Sequence, residues 1–201
     1  MRTIILILLF SSSCTILAEQ NLVTAAKERL NHSVIYDGSY KSIAYPNGDV
    51  NKNKGVCTDV IIRSYRSLGI DLQKRVHEDM KQNFSDYPQI WGLSKPDTNI
   101  DHRRVPNLEK FFEKNGSTLT ISDNSKAYQP GDLVTWRLPN NLPHIGIVSN
   151  IQSEKDPNRY KIIHNIGWGP KLDDMLFDYK IVGHFRARRA ADAATRSTTR
   201  W

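Results

Sequence analysis

A chain of 201 residues with 39% hydrophobic content is long enough for one core and too short for two ordinary domains plus a tail, so a single globular domain is expected. The net charge is +7, but Arg2 and the four Arg against one Asp of Ala187–Trp201 account for more than half of it, leaving a mildly basic body. Without a clustered basic and aromatic stripe, nothing argues for a nucleic-acid partner.

The chain begins Met1-Arg2-Thr3 and continues into the apolar run Ile4–Phe10, with small residues at Ser11–Ser13 and Ala18. This is the pattern of a secretory signal peptide over residues 1–18, too short for a stable membrane span. The protein is therefore expected to be exported, with the periplasm as its compartment and Glu19 as the first mature residue. Acylation at Cys14 is the alternative, weakened by Ser11 where a lipobox has an aliphatic residue. Only Cys14 and Cys57 occur in the chain, so export leaves Cys57 alone, as a buried inert thiol, an intermolecular link or a reactive group.

Residues 19–186 are expected to form the domain. Leu22, Val23, Ala26 and Leu30 mark an amphipathic helix over Asn21–Asn31, and Tyr36–Gly55 reads as a loop. A second helix follows, with Val56, Val60, Ile61 and Leu68 on one face and Gly69 as its stop, placing Cys57 in its first turn. His77–Phe84 reads as a short helix and Pro106–Asn115 as a better one, closed by Gly116, with the long irregular loop Asp86–Val105 between them. Strands are expected at Thr118–Ser122, Asp132–Trp136, Ile145–Ile151, Tyr160–His164 and Lys180–Arg186. Helices followed by strands mean an α+β fold. The Ala-, Arg- and Thr-rich tail, residues 187–201, is expected to be disordered and basic.

A cysteine nucleophile needs its thiolate stabilised. A helix N-terminus contributes about 0.3–1 kcal/mol, less than one pKa unit, so a histidine is also required. His144 opens a strand and would stand at a sheet edge facing outward. His164 ends the next strand and, in a hairpin, would lie beside His144 and orient it, as the third member of a triad does. Each histidine taken singly is equally at home as a structural residue.

Cys57 at a helix start, Gln129-Pro130-Gly131-Asp132-Leu133-Val134, His144-Ile145-Gly146-Ile147-Val148 and Ile162-Ile163-His164 resemble the successive motifs of NlpC-type papain-like cysteine hydrolases of the bacterial cell wall. More narrowly, Gly55–Val60, Asn99–Leu108 and His164–Gly167 resemble the exported bacterial family known as domain of unknown function 1287. The resemblance implies a papain-like α+β fold with the nucleophile helix packed on an antiparallel sheet. It implies Cys57 as nucleophile, His144 as base, His164 as its orienting partner and peptidoglycan stem peptide as substrate, with no cofactor. It also implies a tyrosine near the site, carried over to Tyr45.

NlpC-type enzymes usually have Asp-Cys-Ser-Gly at the nucleophile, where this chain has Val56-Cys57-Thr58-Asp59. Recognition of a free amino end is therefore not carried over, and Asp59 is only a candidate for substrate binding. His102, Arg103 and Arg104 are candidates for binding carboxylates, since guanidinium forks match them. Trp91 and Trp168 are read as buried anchors rather than groove walls. Zinc held by Cys57, His144 and His164 is the rival chemistry, without ligand spacing to support it, so no metal is expected. A non-catalytic cell-wall or envelope binding module, a hydrolase of other amides and a toxin against neighbouring cells are the rival roles.

Overall fold

The computed structural model describes residues 22–115 and 117–186. The N-terminal segment expected to be a signal peptide, with Cys14, as well as Gly116 and the expected basic tail, lie outside them. The first described helix, α1, covers residues 22–28 and ends in a 3₁₀ turn at Arg29–Asn31, burying Leu22, Val23 and Ala26 as the apolar spacing requires. Two short strands the sequence did not announce follow, β1 (Ile35–Tyr36) and β2 (Lys54–Gly55). They pair in parallel and bring the start of the long loop against its end, directly before Cys57.

Helix α2 (Cys57–Ser67) buries Val60, Ile61, Ile62 and Tyr65 and stops before Gly69, whose φ of +76° a side chain would resist. Leu68, expected on the buried face, is its partly exposed C-cap. The next helix, α3 (Leu72–Gln82), starts five residues earlier than expected. Asp71 caps it by accepting from the Lys74 N–H, and Leu72, Val76 and Met80 repeat every four residues along its buried side. Helix α4 (Val105–Lys114) has Pro106 in its first turn and buries Leu108, Phe111 and Phe112.

The C-terminal half is a five-stranded antiparallel sheet in the order β6-β5-β4-β3-β7, formed by β3 (Leu133–Leu138), β4 (Leu142–Gln152), β5 (Tyr160–Asn165), β6 (Pro170–Asp173) and β7 (Lys180–Phe185). The strand expected at Thr118–Ser122 is a single bridge from Thr118 to Phe185; its hydrogen bonds are made with the end of β7, Leu119 N–H to the His184 carbonyl and Arg186 N–H to the Ser117 carbonyl. Conversely, β6 was hidden by its opening proline, which an edge strand tolerates.

One face of the sheet, through Leu133, Ile145, Ile147 and Ile163, joins the core made by α2, α3 and α4. The other, through Val134, Trp136, Val148 and Ile162, is covered by Tyr128, Met175 and Leu176 from connecting segments. The Trp136 indole N–H donates to the Leu176 carbonyl at 2.9 Å, so burying that ring leaves no polar atom stranded. The protein is thus α+β, with the cysteine-bearing helix packed on an antiparallel sheet.

Gly146 sits where this packing is close, opposite His164 across the β4–β5 pair. A Cβ there would lie 2.5 Å from Ile162 Cγ2 and 3.2 Å from His164 Cβ. Gly146→Ala is accordingly expected to destabilise the protein by about 1–3 kcal/mol in urea unfolding, by overpacking; an unchanged midpoint would show that the strands open without strain.

Candidate functional site

Cys57 opens α2, and its thiol is 4% exposed. The backbone N–H groups of Ile145, Thr58 and Cys57 itself favour its anion, while burial and the Asp59 carboxylate oppose it and prevail, pushing the thiol up to about 12. The contact with Ile145 joins helix to sheet, because Ile145 is the residue after His144. The described hydrogen bonds include none between the thiol and the His144 ring. The two approach β4 at adjacent residues.

His144 is neither at a sheet edge nor outward-facing. β4 is the central strand, and the imidazole is 1% exposed, 6.0 Å from the Trp136 ring. Its register explains the meeting with His164. Residue 164 is opposite Gly146, two positions along from His144, so the two imidazoles share one face diagonally, and the absent side chain at 146 leaves the way open. His144 Nε2 and His164 Nδ1 are 2.9 Å apart, and His164 Nε2 is 3.0 Å from Asp173 Oδ2.

The polarity of this chain follows from its end. A carboxylate only accepts, so His164 Nε2 carries a proton; neutral His164 then accepts at Nδ1, and His144 Nε2 donates to it. The remaining nitrogen of His144, Nδ1, is then unprotonated, and the hydrogen bonds among the described residues include none to it. Burial pushes His144 down to about 3, helped by the His164 charge, and pushes His164 down as well, against the bond and charge of Asp173. At rest the thiol and the imidazole are both neutral. A proton taken up at His144 Nδ1 would place a charge that the chain can spread through His164 towards Asp173.

Two neighbours escaped the sequence reading. Asp173 lies in the unpredicted β6, beside Asp174, with no local signal to separate the two; Asp174 pairs with Arg159. Tyr36, 45% exposed, is the tyrosine that feels Cys57: partial burial of its hydroxyl, then the cysteine and Asp59 charges, push it up to about 12, so it remains a donor. Tyr45 does not belong to this neighbourhood. Its ring packs edge-on against His77 at 5.1 Å and feels Glu78 and Asp71.

The proposed carboxylate binders have other employment. Arg103 grips Asp59 with two bonds, at 3.0 and 2.9 Å, both side chains almost wholly buried. Asp59 also accepts from the Val56 N–H at 2.6 Å, and Thr58 Oγ1 donates to the Arg103 carbonyl at 3.0 Å. Asp59 and Arg103 therefore hold the turn that carries Cys57. His102 is buried, pushed down to about 4 by that burial. Arg104 pairs with Asp101 and stacks over Trp91 at 4.1 Å. Trp168, far from being an anchor, is 85% exposed between Gly167 and Gly169.

Among the described residues, no group of three His, Cys, Asp or Glu side chains converges as a metal site would require, and no helix is long and apolar enough to cross a membrane. The fold and site define an α+β protein with a cysteine at the start of a helix that packs on the sheet and a histidine pair on adjacent strands of that sheet. The chain belongs to the family described as "Domain of unknown function (DUF1287)", whose model matches residues 23–187. It is 49% identical over 172 residues to "Uncharacterized protein YijF" of Escherichia coli (strain K12), covering 84% of this chain and 82% of that one. Among solved structures it is similar to NlpC1 from Trichomonas vaginalis, with 14% identity and a TM-score of 0.46 over 84% of this chain; it spans 44% of that protein.

Two outcomes test the site's physics. Arg103→Ala strands the Asp59 carboxylate and should cost about 3–5 kcal/mol in chemical denaturation; a loss below 1 kcal/mol would show that water already reaches the pair. Asp173→Asn supplies a side chain that can donate as well as accept, so the imidazole ¹⁵N spectrum should change from Nε2–H on both histidines to a mixture of tautomers. A spectrum identical to wild type would remove Asp173 as the group that sets the polarity.

Proposed function

We propose that this protein is an exported cysteine hydrolase that cleaves an amide bond in peptidoglycan stem peptides, working in the periplasm. The observation that carries the reading is the chain His144–His164–Asp173, which leaves His144 Nδ1 as a free base one residue from the backbone N–H that holds the Cys57 thiol.

In this reading the Cys57 proton passes to His144 Nδ1 as sulfur attacks the carbonyl carbon, in one event, because burial disfavours either charge alone. The oxyanion forms at the start of α2, where the Cys57 N–H and the Tyr36 hydroxyl are the donors at hand. The imidazolium returns its proton to the leaving amine. Water, deprotonated by His144, then hydrolyses the thioester and restores the thiol. His164 and Asp173 are positioning residues: they hold the ring in the required tautomer and stabilise its charged form. The peptidoglycan substrate and the export rest on the sequence, through the resemblance of its motifs and the apolar N-terminal segment.

The test is digestion of purified peptidoglycan by the mature protein and by Cys57→Ala, with released fragments read by mass spectrometry. Fragments are expected from the unmodified protein, with a loss of at least about a thousandfold in the variant. Absence of fragments from folded wild-type protein would overturn the reading and favour a binding module that retains the fold; equal release by both proteins would exclude the cysteine mechanism.

A further inference from the structure

Beside the nucleophile, a cavity of about 300 Å³ is bounded by the end of α1, the loop leading into β2 and one stripe of α2. Gly55 and Val56, which precede Cys57, and Asn165, which follows His164, are part of its wall. The cavity therefore adjoins both halves of the candidate site without including the thiol or the imidazoles.

Its charge is one-sided. Four permanent cations line it, Arg29, Lys52, Arg63 and Arg66, against the carboxylates Asp49 and Asp59. Both carboxylates are occupied, Asp59 by Arg103 and Asp49 by Arg63 at 3.0 Å and Arg66 at 2.8 Å. Arg63 and Arg66 are structural as well, donating to the carbonyls of Lys54 and Gly48. Arg29 differs from them. Its guanidinium enters none of the described hydrogen bonds or ion pairs, and its Nε is buried without an acceptor, as is the Nε of Arg66. The nearby Glu28 is turned to Asn31 and His32 and does not neutralise it. Lys52 likewise has no described partner for its ammonium. The rest of the wall is largely apolar, with Val34, Val56, Val60 and Pro170.

A planar fork without an acceptor, a second free cation and an apolar floor in a space of this size fit a small organic carboxylate. We propose that this cavity is a carboxylate subsite, in which Arg29, assisted by Lys52, receives the carboxylate of the substrate segment next to the scissile amide while a short aliphatic group of that segment rests on Val34, Val56, Val60 and Pro170. As a substrate subsite, the proposal rests on the hydrolase reading; as a carboxylate site, it stands on the cavity alone.

The experiment uses the mature chain carrying Cys57→Ala, so that binding is read without turnover. N-acetyl-alanine, N-acetyl-alaninamide and inorganic phosphate are titrated separately and followed by amide chemical shifts. N-acetyl-alanine is expected to shift the signals of residues 29–34 and 55–60 and to saturate, with the amide at least about tenfold weaker. Arg29→Gln should weaken the carboxylate form about tenfold, and Lys52→Gln less. Because the Arg29 guanidinium makes no described bond within the protein, the variant should fold, which its unfolding midpoint checks; Lys52→Gln, at an exposed position, repeats the test independently. Equal binding of acid and amide, indifference to both substitutions, or phosphate binding without N-acetyl-alanine binding would each overturn the subsite. Carboxylate binding by a protein that digests no peptidoglycan would remove the hydrolase and keep the pocket, whereas digestion without carboxylate binding would do the reverse.

Discussion

The buried ion pair between Asp59 and Arg103 is the constraint on which the rest of the site depends. Withdrawing two charges from water costs several kcal/mol per ion, and only near-ideal geometry offsets it. Here the carboxylate receives two guanidinium bonds and the Val56 N–H, so its lone pairs are well used. A second tie, from Thr58 Oγ1 to the Arg103 carbonyl, joins the same two segments. Val56 and Thr58 flank Cys57, and both are tied to Arg103, Thr58 directly and Val56 through Asp59, which lies 44 residues before that arginine. The 3₁₀ turn at Asp101–Arg103 is in this sense the floor of the site, which accounts for the burial of all three of its residues in what the sequence presents as a polar loop.

The histidine pair obeys a different logic. Burial keeps both imidazoles neutral, and direction does the rest. One carboxylate at the open end of the chain fixes the proton on each ring nitrogen in turn, so a group that is itself about half exposed determines the chemistry of a group that is 1% exposed. The sheet supplies the distance and Asp173 supplies the polarity.

Much of this was legible in the sequence. Apolar spacing located α1, α2 and α4, alternation located β3, β4, β5 and β7, and the order of helices and strands gave the fold class. Cys57, His144 and His164 could be singled out from their residue types and positions. Failures occurred where tertiary contacts override local pattern. Thr118–Ser122 alternates like a strand but has, among the described residues, only the last residues of β7 and the one after it to pair with, while Pro170 disguises β6 and with it Asp173. His144 at the head of an apolar run looks like an edge residue until β3 and β5 are placed on either side of it. Tyr36 and Tyr45 have similar loop surroundings, and only the β1–β2 pairing shows which one returns to the cysteine. Arg103 looked like a surface ligand for the same reason that any arginine in a polar loop does, since its partner is distant in sequence.

The glycine at position 146 ties two properties that are usually separable. The space left by its missing side chain is occupied by Ile162 and by His164 itself, so the residue that lets the strands close is also the one that lets the imidazoles meet. Selection for solubility alone, in a library blind to catalysis, would still retain glycine here. The histidine geometry is to that extent inherited from the packing of the sheet.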